Sequence, residues 1–140
     1  MKNHHDYSVM FFMMIFSGLL TPMNLWVDKW DDIRFSINDL YMSLVMTGWM
    51  FLFMGIYYKD PRILFLGLFL VISTIWCIRT QFMVTKKQYI LGMIPHHSMA
   101  IHMSKKISHL DPAFEPAFIN SIINGQEKEI EYMKQLTDSK

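Results

Sequence analysis

Apolar positions are continuous in the first part of the chain and become periodic only after Arg79. Residues 9–27 read VMFFMMIFSGLLTPMNLWV and residues 40–58 read LYMSLVMTGWMFLFMGIYY, both without a charge; residues 63–78 form a third run closed by Arg62 and Arg79. A helix needs about 20 apolar residues to cross the hydrocarbon core. The first two runs meet that length. The third is short, but its flanking arginines can reach the headgroups and Phe82, Met83 and Val84 extend it. The pattern predicts three transmembrane helices, near residues 9–27, 40–58 and 63–82. The first run is preceded only by Lys2 and is followed by no small-x-small cleavage site, so it reads as a retained anchor rather than a signal peptide.

Beyond Arg79, lysines, glutamates and histidines enter and the apolar residues recur at helical spacing. Lys86 to about His109 reads as one helix, interrupted at Pro95. Leu110, Asp111 and Pro112 form a turn, and a second helix, starting at Pro112 or Pro116, runs to about Leu136. Gly125 is its weak point, costing about 1 kcal/mol relative to Ala. The expected fold is all-α: a membrane region over residues 1–84, then a two-helix hairpin over residues 85–140. A single core below about 70 residues seldom supplies more than a few kcal/mol. The hairpin therefore needs support, and a homodimer forming a four-helix bundle is the expected form.

Charge sets the orientation. The loop over residues 28–39 holds four Asp against Lys29 and Arg34, whereas the short turn at residues 59–62 carries Lys59 and Arg62. Basic loops stay in the cytoplasm. This rule places the N-terminus and the basic turn inside, and the acidic loop and hairpin outside, although Arg79, Lys86 and Lys87 point the other way. Trp26, Trp30, Tyr57 and Tyr58 fall where interfacial aromatics belong. A multi-pass protein of a bacterial inner membrane is the expected setting, with the lipid bilayer as a partner.

Composition narrows the chemistry. Net charge is +1 with no basic stripe, which excludes a nucleic-acid partner on electrostatic grounds. One cysteine, Cys77, excludes an internal disulfide and a Cys-based zinc site. Fourteen methionines in 140 residues point either to membrane packing or to a soft-metal surface. Met42, Met46, Met50 and Met54 recur along the second span and Met10, Met13 and Met14 crowd the first; packing is the expected role of both groups.

The segment with the densest chemistry is Met93-Ile94-Pro95-His96-His97-Ser98-Met99-Ala100-Ile101-His102-Met103. At 100° per residue, Met93, His96, His97, Ala100 and Met103 share one arc, with Met99 at its edge and His102 opposite. Pro95 frees the carbonyl of Leu91 and predicts a bend just before the histidines. On the second helix Gln126, Glu129, Ile130 and Met133 share a face. If these faces close on each other, two imidazoles and several thioethers converge. Thioethers select Cu(I), and imidazole suits both copper states. Zinc makes little use of methionine, and calcium and magnesium want oxygen. The expected cofactor is a copper ion, or silver in its place. Candidate metal ligands are Met93, His96, His97, Met103 and Met133; Gln126, Glu129, Met99 and His102 are further ligands or orienting groups. His4 and His5 form a weaker terminal pair.

The run MIPHHSMAIHM, with GQEKEIEYM about 30 residues later, resembles the domain-of-unknown-function family 305, which is grouped with ferritin-like helical proteins. The spans YMSLVMTGWMFLFMGIYY and the region ending RTQ resemble its membrane-attached branch. The resemblance implies an extracytoplasmic helical hairpin, with copper binding in some members, and falls on Met93, His96, His97, Ala100, Met103, Gln126, Glu129 and Met133. The family often carries an acidic residue where this chain has Lys86. Copper sequestration or delivery is the expected function, with a metal-free scaffold that docks a partner as the alternative. No catalytic role is expected: there is no Glu-x-x-His pair for a di-iron centre and no nucleophile–base arrangement.

Overall fold

The computed structural model describes residues 7–20 and 23–138, which form five α-helices and no strand among them. The helices are α1 (Tyr7–Leu20), α2 (Ile37–Tyr57), α3 (Pro61–Thr80), α4 (Lys86–Leu110) and α5 (Pro116–Asp138), with short 3₁₀ turns at Met23–Trp26 and Trp30–Asp32. They divide into two units. One comprises α1 to α3, with Ile37–Met83 as its main segment; the other joins Met23–Ser36 to the chain from Val84 onward.

In the first unit, three stretches are long and apolar enough to cross a membrane: Tyr7–Trp26, Ile37–Tyr57 and Pro61–Thr80. The α2–α3 turn is local chemistry. Asp60 accepts from the Arg62 amide at 3.0 Å, Pro61 takes the first helical position, and Lys59 adopts positive φ. The two helices then approach backbone to backbone. A Cβ at Gly67 would strike the Leu52 backbone, and one at Gly55 the Leu64 backbone. Small residues at these positions permit a contact that no larger side chain would allow. The core beside them is Phe51, Met54 and Ile63, with Met10 and Phe11 of α1 packed on it. Ser43 and Thr47, both buried, donate to the carbonyls one turn back, at 2.9 and 2.8 Å, and so satisfy themselves in an apolar setting.

The methionine stripe of α2 does not line a continuous path. Met42 and Met46 are exposed, whereas Met54 is buried against Phe51 and Ile63. Trp26, Trp30, Tyr57 and Tyr58 are all exposed.

The second unit differs from expectation in two ways. First, α4 runs unbroken through Pro95, which is buried, so no interruption precedes the histidines. Thr85 caps its start, accepting from Gln88 N at 3.3 Å. Second, the loop Met23–Ser36, which hydropathy assigns to the membrane region, packs with the hairpin instead. Buried Asn24 closes this loop on itself, donating to Arg34 O at 2.7 Å and accepting from Arg34 N at 3.1 Å. Of the two alternative starts for the last helix, the structure selects Pro116.

Candidate metal site between the hairpin helices

Isoleucines set the phase of the hairpin. Ile94 and Ile101 of α4 and Ile130 of α5 are buried together with Met133, and Ile90, Met93 and Ile123 pack against them. His97 lies on one flank of this stripe and Ser98 on the other, because successive helical residues are 100° apart.

On the His97 flank the imidazole meets α5. Its side chain is only 13% exposed, and Nδ1 lies 2.9 Å from Glu129 Oε2, which is itself well exposed. The Gln126 side chain also reaches the ring. Burial pulls the His97 pKa below its ordinary value; the Glu129 charge and the Gln126 side chain pull upward and lose. The ring is therefore neutral at neutral pH, the form that binds metals. One turn away on each helix come Met93 and Met133, since residues four apart are neighbours on a helix face. Met93 packs against the cluster that contains Met133. A nitrogen, a carboxylate and two thioethers thus occupy two adjacent layers of the same seam.

The structure does not bring all the expected ligands there. His96 and Met103 are exposed, Met103 by 54%, because the isoleucine stripe rotates the buried face away from the arc centred on Ala100. The His96 ring stands 6.0 Å from that of His97, edge to face. Met99 and His102 are half-buried elsewhere around α4. Among the described residues no three His, Cys, Asp or Glu side chains gather into a metal-binding group. His4 and His5 lie outside the described residues.

On the opposite flank the loop is latched to both helices. Ser98, fully buried, donates to Asp32 Oδ2 at 2.6 Å and accepts from the Asp28 amide at 2.9 Å. Lys134 bridges Asp31 at 2.7 Å and Asp32 at 2.6 Å, and Lys105 reaches Asp28 at 2.7 Å. Burial pulls the Lys134 pKa down, but the hydrogen bonds and charges of Asp31 and Asp32 hold it above its ordinary value. The same hydrogen bond from Lys134 holds Asp31 below the usual carboxylate range. Ser98 adjoins His97 and Lys134 adjoins Met133, so the latch grips each helix one residue from a candidate ligand. Sequence reasoning missed these residues. The signal was the surplus of aspartates in the loop facing a tail rich in lysine.

Residues 79–137 match the family described as Domain of unknown function (DUF305). The chain is also 40% identical over 131 residues to "Uncharacterized protein L153" of Acanthamoeba polyphaga mimivirus, covering 89% of this chain and 86% of that protein. The chain belongs to the DUF305 family. No solved structure matches it. The DUF305 match begins at the end of α3 and takes in both hairpin helices, so it holds every candidate ligand placed above. The viral relative extends the likeness into the apolar helices.

Proposed function

We propose that this DUF305 protein is a membrane-anchored copper-binding module that holds Cu(I) in the seam between α4 and α5, for sequestration or delivery. The supporting observation is the His97 imidazole: mostly buried, its pKa lowered by burial, and held against Glu129 one turn from the thioethers of Met93 and Met133. Glu129, 2.9 Å from Nδ1, would hold the ring tautomer that offers the other nitrogen to a metal ion. His97, Met93 and Met133 would hold the ion. Glu129 and Gln126 would orient the imidazole. The thioethers favour Cu(I) or silver over hard cations.

Anchoring comes from the three apolar helices. Two crossings, α2 and α3, separate the loop Met23–Ser36 from the hairpin and would return the chain to the same face of the bilayer, as their packing in one unit requires. The basic turn at Lys59 and Arg62 favours the cytoplasm for the other face. A viral relative lends no support to a bacterial inner membrane, so the proposal is for a bilayer with the hairpin outside the cytoplasm.

The test is a Cu(I) competition titration on the full chain in mild detergent. His97→Ala should weaken affinity by about tenfold to a hundredfold. Met133→Leu, which keeps the side-chain volume, should also weaken it while leaving helix content unchanged. Wild-type affinity in both variants would remove the copper reading.

A further inference from the structure

We infer that the side of the hairpin opposite the loop is the docking surface for a second copy of this chain. This places His96 and Met103 of each chain beside the seam of the other. The inference deepens the copper reading and rests on it for the ligand role alone.

The hairpin has two flanks, and they are unlike. The loop covers the flank of Ser98, Lys105 and Lys134. Within the described residues of this unit the His97–Glu129 flank is uncovered, and apolar side chains stand exposed along it: Tyr89 and Met103 by 54% each, Ile107 by 38%, Phe118 by 59% and Leu136 by 47%. By helical phase, the lysines at 105, 106 and 134 fall away from it, and Lys128, three residues from Gly125, stands at its edge. Two helices about 35 Å long, lying 8–10 Å apart, present a face on the order of 700 Å². That is close to the roughly 800 Å² per partner buried in a stable complex.

Gly125 identifies the closest approach. Pairing His97 with Glu129 in an antiparallel hairpin puts Ala100 and Gly125 at nearly the same level, and both face the uncovered flank. A glycine inside a helix is unfavourable, and nothing within the chain requires one here: a Cβ at Gly125 meets no atom within 4 Å. This contrasts with Gly55 and Gly67, each pressed against a neighbouring backbone. A second hairpin seated over Ala100 and Gly125 gives the small residues their reason. It also covers the exposed stripe and moves His96 and Met103 from solvent to the other chain's seam.

Gly125→Leu tests the surface without harming the fold of a single chain, since it improves helix propensity and meets open space. The full chain in mild detergent should show twice the 16.7 kDa protein mass by detergent-corrected light scattering. Gly125→Leu should reduce this to one chain and weaken Cu(I) binding by about tenfold. In a Cys77→Ala background, Ala100→Cys should link two chains through a short bis-maleimide, whereas Lys106→Cys should not. A wild-type monomer, a Gly125→Leu dimer, or a monomeric variant with full copper affinity would each overturn the proposal. So would a monomer whose label at residue 103 becomes shielded only with phospholipid vesicles, which would assign the face to lipid. A dimer that is sensitive at Gly125 and cross-links at Ala100, yet binds no copper in the wild type, supports the docking surface and removes the copper reading alone.

Discussion

Asp32 is buried to 2% exposure with a carboxylate that Lys134 and Ser98 share between them. Removing one partner from such a pair leaves a charge in an apolar setting, and that penalty exceeds the value of the pair itself. Lys134→Met should therefore destabilise the second unit by about 3 kcal/mol, read as a lower midpoint in thermal or denaturant unfolding. The exposed pair of Lys105 with Asp28 should matter little, under about 1 kcal/mol. Acidity acts on the same residues with a definite sign. The Asp31 pKa is depressed in the folded chain, so its contribution is present above the ordinary carboxylate range and is lost as pH falls through the folded value. Lys134 is raised, so its contribution is present below the ordinary lysine value and is lost as pH climbs through the folded one. His97 is depressed: below about 6.5 the unfolded chain protonates first, and acidification costs stability. Hydrogen-exchange protection of the loop amides, taken relative to the intrinsic rate at each pH, should be greatest near neutrality and smaller at both extremes. A loop equally protected at pH 4 and pH 7 would contradict the latch. None of this was readable from residues 28–32 alone, where aspartates look solvated. Their partners lie about 70 to 100 positions away.

At the scale of elements, existence was legible and phase was not. Length and hydropathy located the three long apolar helices, and periodicity located the hairpin. The phase of α4 was misread because the arc was centred on histidine and methionine, the residues of chemical interest. The isoleucines at 90, 94 and 101 decide which face is buried, since burying them contributes more than burying an imidazole. The continuous path of α4 through Pro95 was also not readable, because a proline at that position predicts a bend. Packing of α2 on α3 makes its own prediction. Gly67→Leu would force a side chain into the Leu52 backbone, which costs about 1–3 kcal/mol or more as overpacking. The expected readout is a lower unfolding temperature in detergent.

For the whole molecule, the division into an apolar helical unit and a loop-braced hairpin explains how a short tail is stabilised. The tail recruits the loop Met23–Ser36, an addition the hydropathy boundary near residue 84 did not anticipate. The likeness to DUF305 was visible in MIPHHSMAIHM and GQEKEIEYM because site residues lie close together along the chain. The grouping of Met93 with Met133 required the folded hairpin. The central claim is that imidazole and thioether donors of this seam take a common soft ion. It is tested most directly by X-ray absorption at the copper edge on the Cu(I)-loaded full chain. A shell containing both nitrogen and sulfur, with the sulfur lost in the Met93→Leu, Met133→Leu double variant, is the predicted result. A shell without sulfur, or copper that does not survive desalting, would contradict it.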